Sequence, residues 1–480
     1  MVSIKDIFKK PAPETPFTGN QISPDNPAYD FKFLSYYFDK YTNTATFTYQ
    51  GIDNTIFSEK VQFAKPPQGS RFNIMEKPEL DALIDRAIFL AFIMIGTSYF
   101  KTHPTPNVKL DTPIDEWQAA FFNKVYQEGL SQFAYQNGFT RDQLAHFTPT
   151  IKSEEHFMED IEYRGSGILA LQSGGKDSLL TATMLMEAGH KFTPWYVSNS
   201  DEHTYPEVID QIDFPVLKAS VALRHIDLDH LKQAGGYNGH VPVTYIIESL
   251  AIVQAIINNQ NTIITSIGHE GEEPITTVGD LSVTHQWSKT WEAESLMAEY
   301  ISRYITPAIR LGSPIRKYSE LRIAELFTEK CWEKYGFSFS SCNVANYKQL
   351  VDNKHLHWCG NCPKCANSYL LFCPFLPPQQ LQALFADEDL FTKESLFPTF
   401  KGLLGIEGVM KPFECTGDIP ELRFAYQNRQ PGYAALPFEV PGSDFDYRAE
   451  YPEQPFIAEL FKTPETKTPE SDPSDSSESQ

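Results

Sequence analysis

Residues 167–172 (Gly-Ile-Leu-Ala-Leu-Gln) form a short apolar run. Ser173-Gly174-Gly175-Lys176-Asp177-Ser178 follows at once, and a helical pattern then continues to Ala188 and stops at Gly189. A short apolar run bounded in this way reads as a buried parallel strand. Two glycines let the backbone turn tightly and approach a ligand closely. The next helix offers unpaired N–H groups and the positive end of its dipole. Two serine hydroxyls and the Lys176 ammonium complete a cradle for a polyphosphate; the alternative is an ordinary tight turn. It is not a Walker A loop, which needs four residues between its first Gly and Gly-Lys, then Ser or Thr. Nor is it a dinucleotide fingerprint, because Gly165-x-Gly167 precedes the strand.

The surrounding pattern supports that placement. Strand-like runs at 192–198, 216–221 and 262–267 alternate with helical stretches at 224–234 and 242–259, which predicts a parallel α/β sheet. Ligand is then expected at the carboxyl ends of the strands. Upstream, Phe31–Phe38, Thr44–Gln50 and Ile56–Phe63 alternate Tyr, Phe and Thr as an antiparallel meander, followed by helical patterns at about 78–101 and 113–137. The expected organisation is an irregular leader (1–30), an α+β domain (31–155), the loop-bearing α/β domain (156–335), a Cys-rich region (336–462) and an acidic tail (463–480) too polar to fold alone.

All seven cysteines lie at or after Cys331. That clustering suits a metal site in a reducing compartment better than a disulfide framework. Cys359-x₂-Cys362-x₂-Cys365, with Cys342 upstream, supplies four thiols at metal-clip spacing. Structural Zn²⁺ takes such a set; an iron–sulfur cluster also does, and unliganded thiols are the plainer reading. His355 and His357 are nearby but unneeded. Cys331 and Cys373 read as buried small hydrophobes, whereas Cys415 lies in the polar stretch Lys411–Gly417.

A formal charge of −22 argues against nucleic acid, whose non-specific binding depends on Lys and Arg. The most apolar stretch, Ala87–Phe100, is too short to span a bilayer, and no secretory leader is read. A soluble cytoplasmic protein is expected.

Ser-Gly-Gly-x-Asp-Ser resembles the PP-loop of the N-type ATP pyrophosphatases, which implies binding of the ATP pyrophosphate by Ser173, Gly174, Gly175, Lys176, Asp177 and Ser178, with Asp177 helping to place Mg²⁺. A four-Cys zinc site like this one occurs in the deazaguanine nitrile synthases of that superfamily. Further segments narrow the resemblance: Ser98–Lys101, Phe133–Gly138, Gly235–Thr244, His285–Lys289, Ser340–Asn343, Trp358–Cys365 and Lys411–Gly417. Together they resemble the ATP-dependent UDP-N-acetyl-α-D-muramoyl-L-alanyl-L-glutamate epimerases of peptidoglycan synthesis. The resemblance implies ATP, Mg²⁺ and structural Zn²⁺ as cofactors, a UDP-linked muramoyl dipeptide as substrate, and coupling to a muramoyl-peptide ligase. Lys176, Asp177, His240 and Cys415 are then the catalytic candidates, with a structural His and an idle thiol as the competing readings of the last two. Arg224, Asn238, His240, Glu270, His285, Gln286 and Lys289 are the substrate-binding candidates, and Lys176, Arg224 and Lys289 are expected to converge in a basic cleft. At Ser266–Glu273 the chain departs from the family's Asn-Glu-Arg run: Glu270 takes the acidic place, and no Arg follows. The alternatives are another adenylating PP-loop enzyme, such as a nitrile synthase, and a non-catalytic nucleotide-binding module.

Overall fold

The computed structural model describes residues 29–66, 70, 72–153, 161–199, 220–348 and 356–462. Residues 1–28 of the leader, the acidic tail, His355 and residues 216–219 of the 216–221 run lie outside them. A nine-stranded mixed sheet forms the centre, mostly parallel, in the order β11-β8-β5-β6-β7-β3-β2-β1-β4. Its members are β1 (Phe31–Asp39), β2 (Thr44–Gln50), β3 (Ile56–Gln62), β4 (Val108–Leu110), β5 (Ile168–Leu171), β6 (Phe192–Ser198), β7 (Ser220–His225), β8 (Thr262–Ile264) and β11 (Arg310–Gly312). A separate hairpin pairs β9 (Thr276–Val278) with β10 (Leu281–Val283).

The meander forms as its alternation predicts. Ala45, Phe47 and Tyr49 of β2 face the core, and a one-residue slip would expose both rings. Burying each is worth roughly 1.5–3 kcal/mol. On β3 the buried phase holds Phe57, Glu59 and Val61, so a carboxylate occupies a core position.

β3 pairs antiparallel with β7, which joins the meander to the parallel strands. One hydrophobic core continues from Phe31 to Leu311, so the stretches on either side of residue 155 share a sheet and a core. Helix α1 (Asp81–Phe100) is buried along most of its length, against β1 and the helix Val243–Ile257. Its apolar character serves that packing, and no described helix is long and apolar enough to cross a membrane. Gly96 lets α1 approach its neighbours: a Cβ there would lie 2.6 Å from Tyr126 Oη and 2.7 Å from Phe33 Cε1.

Several boundaries differ from expectation. The 113–137 pattern divides into α2 (Glu116–Gln127) and α3 (Ser131–Asn137). β8 stops at Ile264 rather than 267, and 224–225 belong to β7 rather than to a helix, which begins at Leu228. Asp227 caps that helix by accepting from His230 N–H.

The parallel part carries the topological consequence. From β5 the chain moves outward through β6 and β7, then returns to the other side of β5 as β8 and β11. β5 and β8 therefore flank the point where the order reverses, and a ligand crevice is expected outside their carboxyl ends. A second core, from Leu179 to Leu436, packs the C-terminal helices against α4 (Lys176–Glu187).

Candidate active site and cysteine centre

The glycine turn lies at the carboxyl end of β5, and α4 begins at Lys176, two residues before the expected start. Gly174 has φ +82, a conformation that favours glycine. Ser178 Oγ accepts from the N–H groups of Ser173 (3.3 Å) and Gly174 (3.2 Å) and donates to Gly175 O at 3.1 Å. No side chain caps the α4 N-terminus, a geometry that suits an anion.

Lys176 is buried, with Nζ 2.6 Å from Asp177 Oδ1 and 2.7 Å from Glu320 Oε2. Burial works against its charge, but the two carboxylates hold its pKa above the ordinary lysine value. Glu320 opens the helix Glu320–Lys330 behind a Ser319 cap. Burial pushes its carboxyl up to about 7 against the pull of Lys176.

Beside this loop an open cleft of about 350 Å³ lies between two parts of the chain. One wall, from the segments after β8 and β10, includes Glu270, Glu273, His285, Gln286 and Lys289. Lys411, Glu414, Cys415, Thr416 and Asp418 form the other. Lys289 Nζ is 3.2 Å from Glu270 Oε1. Burial raises the Glu270 pKa, but Lys289, Lys364 and Lys176 outweigh it and hold the carboxylate below its usual range. Loop and cleft are therefore one charge network. His240 stands behind the wall with its ring 5.1 Å from that of His285. Burial, reinforced by His285, Lys101 and Lys289, drives His240 down to about 3. His285 is also driven to about 3, chiefly by burial.

The structure thus brings together Lys176, Asp177, Glu270, His285, Gln286, Lys289 and Cys415. Arg224 and Asn238 do not line the cleft. Arg224 is buried on β7, where Nε and Nη2 donate to Glu59 at 2.5 and 3.2 Å and Nη2 also donates to Ser98 Oγ at 2.9 Å. The expected convergence of Lys176, Arg224 and Lys289 is corrected accordingly: Arg224 is committed to the β3–β7 junction, and the two lysines face carboxylates. Asn238 is exposed, with its side chain accepting from Gly239 N–H at 2.9 Å.

Sequence reasoning missed four residues that shape the site. Arg316, fully buried, donates Nη1 to Gly268 O (2.7 Å) and Lys289 O (2.8 Å) and Nε to Glu294 at 3.0 Å. It ties the Glu270 segment to the Lys289 turn. Lys411 pairs with Glu273, Lys364 donates to Cys415 O at 2.8 Å, and Glu320 holds Lys176. Only the quoted Lys411–Gly417 and Trp358–Cys365 segments pointed near any of them.

Cys342, Cys359, Cys362 and Cys365 gather with their sulfurs within 4.8 Å of one another. Adjacent sulfurs are 3.5 Å (Cys362–Cys365), 3.6 Å (Cys342–Cys362) and 3.8 Å (Cys359–Cys365) apart. A single tetrahedral ion with metal–sulfur bonds of about 2.3 Å needs edges of about 3.8 Å. The N–H groups of Ala345 and Asn361 donate to Cys342 and Cys359 sulfurs at 3.4 Å, as thiolates favour. The cluster therefore fits a metal ion. Cys331 and Cys373 are buried, as expected. His357 is engaged through its backbone, accepting from Ser340 and donating to Asn346.

Comparison with known proteins agrees with this architecture. Residues 24–312 match the MurL N-terminal domain, and 338–432 match the MurL C-terminal domain. The chain belongs to the MurL family. A Micromonospora relative named UDP-N-acetyl-alpha-D-muramoyl-L-alanyl-L-glutamate epimerase is 31% identical over 404 residues, covering 82% of this chain and 84% of the relative. Relatives of the same name from Xanthomonas oryzae pv. oryzae (31% identical; 71% of this chain, 74% of the relative) and Salinispora tropica (30%; 82% of each) also match. The first MurL segment spans both the meander and the parallel strands, and the two segments supply the two walls of the cleft.

Proposed function

We propose that this chain epimerises the terminal L-Glu of UDP-MurNAc-L-Ala-L-Glu to D-Glu by adenylating its α-carboxylate, releasing AMP and pyrophosphate. The observation that carries the reading is the uncapped phosphate loop at the β5/β8 reversal, linked through Lys176 and Glu270 to a cleft holding Cys415. Strand order and loop position support a PP-loop ATP pyrophosphatase core, and the names of the relatives supply the substrate. The nucleotide-linked substrate puts the reaction in the cytoplasm, ahead of a muramoyl-peptide ligase.

The chemistry explains the need for ATP. A Cα–H beside a carboxylate is a very weak acid, because its loss puts a second negative charge next to the first. Adenylation makes a mixed anhydride and removes that charge, so a protein group can take the proton. In this reading Lys176 and the α4 N-terminus hold the phosphates, Asp177 helps place Mg²⁺, and Glu270, Gln286 and Lys289 orient the dipeptide. Cys415 is one acid–base group; His240 packs against His285 from behind the wall.

Zn²⁺ is the proposed occupant of the cysteine centre, since iron–sulfur cages hold their thiolates farther apart than a single ion does. It would be structural. The helix Pro363–Phe372 rises from that centre, and Lys364 and Asn367 bond the Cys415–Gly417 backbone. Metal therefore steadies the wall that bears Cys415. The test is incubation of the purified protein with the L-Glu nucleotide, ATP and Mg²⁺ in heavy water. AMP, pyrophosphate and Cα deuterium are expected together; ATP turnover without deuterium would overturn the proposal.

A further inference from the structure

Inverting one carbon needs a group to take the Cα proton on one face and a group to return a proton on the other. The two walls of the cleft each carry one suitable side chain, Cys415 on the C-terminal wall and His285 on the wall after β10. His285 is also fixed in orientation. Its Nδ1 lies 2.8 Å from Gln132 Oε1 on α3. The Gln132 amide nitrogen donates to Gln136 Oε1 at 3.4 Å, so the oxygen faces the imidazole. That oxygen can only accept, so Nδ1 carries the hydrogen and Nε2 keeps the lone pair. His240 lacks this arrangement: its Nε2 is buried without a partner among the described residues, one ring behind His285.

We propose that His285 and Cys415 are the two acid–base groups of the epimerisation, and that Gln132 is the positioning residue that keeps His285 Nε2 as the acceptor. The inference rests on the adenylating reading above. In one direction Nε2 takes the Cα proton, and the C–H electron pair moves into the adjoining acyl-adenylate carbonyl to give an enolate. Cys415 then gives its S–H proton to the opposite face, and the carbonyl re-forms. The imidazolium and thiolate left behind return to neutral by proton exchange with solvent. The other epimer uses the imidazolium–thiolate form of the same pair: the Cys415 thiolate takes the Cα proton and the His285 imidazolium returns one to the opposite face.

The groups around His285 suit this task. Burial lowers its pKa; Glu414 and Glu270 pull it up, while Lys364 and Lys289 push it down, and His240 and Gln132 complete its surroundings. The ring is therefore neutral and able to accept a proton at pH 7. Entry of the polyanionic substrate works against that lowering and raises its basicity.

The experiment offers each epimer of the nucleotide dipeptide, with ATP, in heavy water, to wild type, His285→Asn and Cys415→Ser. The expected result is that one variant loses Cα exchange from one epimer and the other variant from the opposite epimer, by at least about 100-fold. Both variants should keep substrate-dependent exchange between ATP and pyrophosphate. Wild-type exchange from both epimers in His285→Asn, or loss from the same epimer in both variants, overturns the assignment. Absence of ATP–pyrophosphate exchange in wild type would instead overturn the adenylating reading. Gln132→Glu gives an independent check, because a carboxylate on Nδ1–H raises the imidazole pKa. The acid limb of kcat against pH should move up by about one unit or more, with KM nearly unchanged. A merely structural Gln132 would lower activity without moving that limb, which would also overturn the proposal.

Discussion

Two buried clusters of charge lie on the same sheet and do different work. At the β3–β7 junction, Arg224 is closed in: Glu59 accepts two of its bonds, Ser98 a third, and Tyr99 donates to Glu59 at 2.6 Å. At the β5/β8 carboxyl ends, Lys176 and Lys289 are also paired with carboxylates, but beside a loop and an open cleft. Arginine's planar fork matches a carboxylate at two points and resists exchange, whereas a lysine is a point charge that a phosphate can claim. The first cluster is a joint between two parts of the sheet. The second borders an open cleft.

The sharpest way to break this comparison is to remove Glu59. Glu59→Ala leaves Arg224 buried and unpaired, at a cost of about 3–5 kcal/mol. Urea unfolding should show the loss, with the turnover of the remaining folded protein little changed. Equal stability with lost turnover would make the junction part of the site. Lys176→Ala should weigh the other way, lowering kcat about 10²–10³-fold; Glu320 loses its cation, but its carboxyl, already raised to about 7, takes up a proton, so the unfolding midpoint should fall less than in Glu59→Ala. Next, Cys362→Ser should abolish retention of the proposed Zn²⁺, measured by atomic emission on the purified wild type and variant. Turnover should fall about tenfold or more, the scale of lost support around a metal, through the slackened Cys415 wall. The smallest effect concerns pH. His240 is held near 3 in the folded chain against about 6.5 unfolded, so its contribution to stability is present above about 6.5. It is lost as pH falls through that window towards 3, because only the unfolded chain takes up the proton. His240→Asn should flatten the dependence of unfolding free energy on pH between about 6 and 4; an unchanged slope would show that the ring is solvated.

Much of this was legible without coordinates, because the relevant signals are local. The β5–loop–α4 unit, the meander and the cysteine spacing each depend on neighbours in the chain: alternation, glycine placement and metal-clip geometry. Charge pairing was not legible. Glu59 did carry a signal, sitting between Phe57 and Val61 on the buried phase of β3, and a carboxylate there demands a cation. Nothing in the chain says that Arg224, 165 residues later, supplies it. Arg316 had no signal of its own, since its value lies in two carbonyls from separate segments. Gln132 was likewise an ordinary helix residue until α3 met His285.

Sequence by itself determined the glycine turn at 173–178 with its strand and helix, the four-cysteine centre and the family, because each is written in contiguous residues or fixed spacing. Tertiary structure alone decided which cations remain available. An ionic side chain does one thing when enclosed by a partner and another beside an opening, and that choice is made where distant segments meet: Arg224 against Glu59, Lys176 against Glu320, and His285 against Gln132.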